Sequence, residues 1–170
     1  MKKLFPILLI AFLSIFIISC NNDDNKNYTD TVSEVYEIKN TNFSTNNNGY
    51  LSIYREFLRP LYTSDMVLIY RQEGTTNGNP IWTLVPKTYY TDFGFAEYSY
   101  DFTINDIQIY LDTNITDADT YNIYGDNQTF RVVVIPARLG RTSDNANSKF
   151  EDYNYVIQHY NINDKIVNQL

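Results

Sequence analysis

The chain has 170 residues, with 13 lysines and arginines against 20 aspartates and glutamates, for a net charge of −7. Loss of a leader carrying Lys2 and Lys3 leaves 11 basic side chains and a net charge of −9, which excludes nucleic acid as a partner because phosphates demand a basic face. One cysteine excludes a disulfide framework, and sixteen tyrosines beside one histidine and one tryptophan suit a polar extracellular β-protein rather than a helical bundle.

Met1-Lys2-Lys3 is a short positive segment, and Leu4 to Ile18 is an apolar run broken only by Pro6 and Ser14. Residues 1–19 read as a secretory signal. Retention as a membrane anchor competes with this, but a spanning helix wants about 20 apolar residues and a basic stop-transfer flank. The run ends in Ile17-Ile18-Ser19-Cys20. This resembles the lipobox of bacterial lipoproteins, in which the cysteine receives a diacylglycerol, cleavage falls before it and the freed amine is acylated. An incidental thiol or half of an intermolecular disulfide is the other reading of Cys20. Several acyl chains on one cysteine make a durable tether, because one chain alone binds only marginally.

Residues 20–34 read as the lipidated cysteine and a flexible linker, since Asn21 to Asn27 offers no apolar side chain to bury. Asp23-Asp24 resembles the acidic export signal of surface lipoproteins in the Bacteroidetes group. Asp30-Thr31-Val32 resembles an O-glycosylation site of exported proteins from the same group, with Thr31 as the acceptor.

From residue 35 the pattern becomes β. Val35 to Ile38 and Tyr50 to Tyr54 read as strands separated by a polar loop, and Met66 to Tyr70 is apolar on both faces, as a central strand would be. Glu73 to Pro80 reads as a turn-rich loop leading to Ile81–Val85. Ala96, Tyr98, Tyr100, Phe102 and Ile104 share one strand face. A two-residue turn at Asn105-Asp106 would pair Ile104 with Ile107, Phe102 with Ile109 and Tyr100 with Leu111; a short helix over Asn105 to Leu111 is the competing reading. Thr129 to Ile135 reads as a strand at the centre of a sheet, closed by Pro136. Phe150, Tyr153, Ile157 and Tyr160 then recur at helical spacing, with Ser148 and Glu151 as a capping box, so a helix of about three turns is expected over 148–160.

These elements predict one all-β domain over 35–170, an antiparallel β-sandwich, immunoglobulin-like or related, of seven to eight strands with one C-terminal helix. The order of MVLIYRQEG, IWTLVPKTYY, YDFTINDIQIYLD and FRVVVIPA resembles a family of small uncharacterised Bacteroidetes lipoproteins. Some of those carry a collagen-like stretch between the lipidation site and the domain; none is present here. The resemblance implies an outer-membrane, surface-exposed location and adds no site residues.

No catalytic residue is assigned. His159 is the only histidine and no Gly-x-Ser-x-Gly elbow accompanies it, so it reads as a surface side chain. Glu97 and Asp101 share a strand face but stand about 13 Å apart, too far for a glycosidase pair. No metal ligand set and no cofactor are expected, although Asp112 to Asp119 with Asp126-Asn127 gather oxygen ligands and keep calcium as an alternative despite failing the EF-hand template. Trp82, Tyr89 and Tyr90, with Phe93 and Phe95, are candidate sugar-stacking rings. Arg55, Glu56 and Arg59 read as a charged bend around one apolar anchor. The expected function is a lipid-anchored, non-catalytic envelope module that binds the membrane through Cys20 and an envelope protein or glycan through its domain. A carbohydrate-binding surface protein is the alternative, and a carboxylate-based hydrolase comes third.

Overall fold

The computed structural model describes residues 33–137, 139 and 149–170. The signal segment, Cys20, Thr31 and Ser148 lie outside the described residues. Among the described residues ten strands run in chain order as β1 (Glu34–Thr41), β2 (Ser44–Thr45), β3 (Leu51–Glu56), β4 (Met66–Thr76), β5 (Asn79–Val85), β6 (Lys87–Thr91), β7 (Gly94–Phe102), β8 (Asp106–Thr113), β9 (Gln128–Ile135) and β10 (Asn168–Gln169). The helices α1 (Ala118–Gly125) and α2 (Tyr153–His159) flank β9 in sequence. The first sheet has the order β10-β1-β9-β4-β5 and the second β2-β3-β8-β7-β6. The two pack through their inner faces as a β-sandwich.

Hydropathy explains which strand belongs where. Val67 to Tyr70 on β4 and Val132 to Ile135 on β9 are buried in unbroken runs, as strands covered on both faces must be. Tyr36, Ile38, Val67, Ile69, Phe130, Val132 and Val134 point inward, against Ile53, Tyr98, Ile107, Ile109 and Leu111 of the second sheet. The opposite face of the first sheet, with Val35, Leu68, Tyr70, Val133 and Ile135, is covered by Tyr153, Val156, Tyr160 and Ile162. In β7 and β8 burial alternates instead, because only one face of the second sheet is covered.

Two arginines enter this interior. Arg71 projects between the sheets, where its Nε donates to Gln128 Oε1 at 2.7 Å, an Nη donates to the Ile123 carbonyl at 3.1 Å, and the rings of Tyr89, Tyr98 and Tyr124 surround it at 5.0–5.6 Å. Arg131 projects beneath α2, bonding Glu37 Oε2 at 3.0 Å and lying 4.8 Å from the Trp82 ring.

Several expectations are corrected. Glu73 to Pro80 is mostly strand: β4 continues to Thr76, a bulge falls between Gln72 and Gly74, and a tight Asn77-Gly78 turn with φ of 52° and 79° leads into β5. The β7–β8 register is two residues away from that expected, pairing Phe102 with Ile107, Tyr100 with Ile109 and Tyr98 with Leu111. Thr103 fixes this turn: its Oγ1 accepts from Asn105 N and donates to Asp106 Oδ1, closing the three-residue loop 103–105, and β8 over 106–113 stands in place of a helix over 105–111. Because the shift is two residues, the faces are preserved, although Phe102 and Ile104 end up exposed.

The C-terminal helix starts at Tyr153 with Asp152 as N-cap, accepting from Tyr155 N at 3.1 Å, so it has seven residues instead of about thirteen. A helix that the sequence pattern does not announce, α1, overlaps the stretch expected to gather oxygen ligands; Asp117 caps it by accepting from Thr120 N and Oγ1 at 2.9 and 2.7 Å. The sandwich is not purely antiparallel, since β10 joins β1 in parallel. Among the described residues there are eight longer strands and two of two residues where seven to eight were expected, and β1 begins one residue inside the expected linker.

Candidate functional site

The outer face of the second sheet is the one sheet face left without a layer of side chains over it among the described residues. Alternation on β3 and β8 sends Ile53, Ile107, Ile109 and Leu111 inward and leaves Tyr54, Glu56, Gln108, Tyr110 and Asp112 outside. The five-residue segment between β2 and β3 folds over this face. Asn46 Oδ1 accepts from both Asn48 N and Tyr50 N at 3.0 Å, and Gly49 takes a φ of 86° that favours glycine.

This loop raises a wall between two clefts. The larger, about 560 Å³, is lined by Asn48 and Tyr50 from the loop, Ser99 from β7, and Tyr110 and Asp112 from β8. The smaller, about 340 Å³, lies on the other side of Asn46–Asn48, against Ser52, Tyr54 and Gln108. Tyr50 is 62% exposed and meets Tyr110 edge-on with centroids 6.4 Å apart. The Asn48, Ser99 and Asp112 side chains make no hydrogen bond among the described residues, and so remain available to a ligand.

The rest of the face is held by its own hydroxyls. Tyr110 OH donates to Asp101 Oδ2 at 2.9 Å, and Tyr54 OH lies 3.2 Å from Glu56 Oε1 and 3.4 Å from Asp106 Oδ2. Desolvation first, and then the neighbouring carboxylates, raise the pKa of both phenols, so each keeps its own proton and donates it in a hydrogen bond to a carboxylate. The arrangement suits recognition of a polar ligand: flat rings to stack on, with acceptors and an amide beside them.

Compared with known proteins, the chain matches no family model, no curated protein and no solved structure. Function must therefore be argued from the residues.

The three rings singled out by sequence are dispersed. Trp82 lies on the far side of the sandwich, half-buried against Tyr153 with centroids 5.7 Å apart. Tyr89 turns inward, packs on Tyr98 and Tyr124, and donates its hydroxyl to Glu73. Tyr90, 85% exposed, is the one that joins the open face, at its β6 edge. His159 is exposed and stacks on Tyr155 at 5.0 Å. Glu97 and Asp101 both point outward, but Glu97 stands directly opposite Asp112 rather than near Asp101. Asp117 is committed to capping α1, and its carboxyl is held below the ordinary range by the Thr120 bonds. Among the described residues no three acidic, histidine or cysteine side chains converge on a metal position. In the charged bend Phe57 is the buried anchor, Arg59 pairs with Glu34 at 3.0 Å, and Arg55 Nε donates to the Leu170 carbonyl at 3.3 Å.

Sequence reasoning missed Asn48, Tyr50, Ser99, Tyr110 and Asp112 as a site. The alternation over 107–112 already marked Tyr110 and Asp112 as outward, but their meeting with Tyr50 depends on β3 pairing with β8, which no local pattern encodes.

Proposed function

We propose that the chain is a lipid-anchored cell-envelope protein of the outer membrane, surface-exposed, whose domain is a non-catalytic binding module. The order of charge, apolar run, small residue and Cys20 supports the anchor. The observation that carries the binding reading is the open face of the second sheet, with the exposed Tyr50 ring and the half-buried Tyr110 ring beside three unengaged polar side chains in one cleft.

A glycan is the ligand class this geometry favours over a bare structural role, because sugars offer C–H faces to rings and hydroxyls to Asn, Ser and Asp. The hydrolase reading is less well supported: Glu97 and Asp112 stand directly opposite each other on adjacent strands and point out of the sheet on the same side, whereas a glycosidase pair must flank the scissile bond. Within the sandwich class an immunoglobulin-like or related arrangement is the reading retained, supported by non-consecutive neighbours such as β1 with β9 and β3 with β8.

Mass spectrometry of the mature N-terminus tests the anchor; the expected species begins at Cys20 with a diacylglyceryl and an amide-linked acyl group. An unmodified cysteine, or a chain beginning at Met1, would sink it. Thermal-shift titration of the full-length chain in detergent with polysaccharides and calcium, with chelator controls, tests the binding reading. A ligand at 100 times its dissociation constant should stabilise the fold by about 2.7 kcal/mol. A shift with calcium alone would revive the Asp112 to Asn127 alternative, and no shift with any glycan would remove the sugar reading.

A further inference from the structure

The open face has a charge pattern that narrows its ligand. Register places Glu56, Asp106, Asp112, Glu97 and Asp101 on it, while the basic residues of these strands sit at inward positions: Arg55 opposite Ile107 and Lys87 opposite Tyr98. None of the five carboxylates has an ion-pair partner among the described residues.

Two of the cross-strand pairs are like-charged, Glu56 with Asp106 and Glu97 with Asp112. Directly opposed like charges destabilise a sheet, so their retention on an uncovered face points outward, to what the face meets. The two pairs lie six residues apart along β8, about 20 Å, with Tyr110 and both clefts between them. A ligand lying across the clefts therefore passes between two negative poles.

We propose that this face selects glycans free of acidic groups, built of neutral or amino sugars, with one sugar ring stacked on Tyr50 in the larger cleft. This rests on the glycan reading above and adds to it the charge class and the position. Uronate, sulfate or phosphate on the sugar would meet unneutralised carboxylates and be repelled, whereas hydroxyls find acceptors at Asp112 and Asn48, and an ammonium group finds carboxylates. The cleft beside Arg71, about 410 Å³, does not offer the opposite preference, because that guanidinium is already engaged by Gln128, the Ile123 carbonyl and three rings.

The test uses the full-length chain in detergent, titrated with neutral gluco- and manno-oligosaccharides, chitosan oligosaccharides, polygalacturonate, heparin and polylysine at low and physiological salt. At least one neutral or amino sugar should bind at least tenfold more tightly than either acidic chain. Tyr50→Ala, at an exposed position that leaves the fold intact, should weaken that binding about threefold to tenfold. Glu56→Lys with Glu97→Lys, both exposed, should close the gap between neutral and acidic chains. Equal or tighter binding of an acidic chain, or binding indifferent to Tyr50→Ala, overturns the inference and leaves the glycan reading standing. Binding of polylysine with no glycan bound overturns both, and assigns the carboxylates to a basic protein.

Discussion

Glu37 and Arg131 hold opposite charges under α2, on the face of the first sheet that is otherwise apolar. Glu37 is 5% exposed, with one oxygen 2.7 Å from Lys39 Nζ and the other 3.0 Å from Arg131 Nε. Arg131 also donates to the Tyr153 hydroxyl and reaches Asp164 at 3.5 Å, so one side chain ties β1, β9, α2 and the C-terminal segment together. Replacing it leaves the buried Glu37 carboxylate with Lys39, itself largely exposed, as its only ion-pair partner among the described residues, and the expected cost of Arg131→Ala is about 2–3 kcal/mol in urea unfolding. The double variant Glu37→Gln with Arg131→Met should recover part of that loss; a cost for Arg131→Ala below about 1 kcal/mol would mean that the cluster behaves as an exposed pair. The charged residues were visible in the strand pattern, but their pairing was not, because 94 positions separate Arg131 from Glu37.

Elements show where local pattern suffices. Asn77-Gly78 is a strong two-residue hairpin signal, and it was hidden by the surrounding polar run, which reads as loop by composition. Gly78 sits at φ 79° with open space around its missing Cβ, so Gly78→Ala should destabilise through backbone strain alone, by about 1 kcal/mol, in urea unfolding. No measurable change would mean that the turn relaxes to another type. By contrast, α1 hid among residues read as cation ligands, since aspartate serves equally as N-cap and as ligand. β10 is two residues long and has no strand signature; it is fixed by parallel pairing to β1, by Leu170 N donating to the Glu37 carbonyl at 3.1 Å, and by Arg55 clasping the Leu170 carbonyl. Removing residues 168–170 should cost about 2 kcal/mol and uncover the β1 edge, seen as a lower urea midpoint and as concentration-dependent association in light scattering. A truncated chain with unchanged stability would show that β10 is a passive tail.

At the scale of the whole molecule, layering was legible and adjacency was not: two-faced apolar runs identified β4 and β9 as inner strands, and alternation marked β7 and β8 as half-wet, yet the meeting of Tyr50 with Tyr110 follows from strand order alone. Tyrosine is what these layers share. Tyr98 donates to the Tyr124 carbonyl at 2.7 Å, Tyr100 to Val67 at 2.9 Å and Tyr70 to Phe150 at 2.8 Å, so these buried rings keep their hydroxyls paired, whereas the buried Tyr160 hydroxyl has no partner among the described residues. Burial pushes the Tyr89 and Tyr153 phenols up to about 12, and raises Tyr36, Tyr70 and Tyr98 as well. Because each folded pKa lies above the unfolded value of about 10, the folded state keeps protons that the unfolded chain has already lost. The stabilisation is therefore whole below pH 10 and falls as pH rises toward 12, by up to about 2 kcal/mol for Tyr153 alone and more as the others join. Unfolding should occur cooperatively in that window, with tyrosinate absorbance from the buried phenols rising in the same step as loss of the β circular-dichroism signal. Smooth titration of all sixteen tyrosines near pH 10 with the fold intact would show that water reaches these hydroxyls, and that the interior is looser than its hydrogen bonds imply.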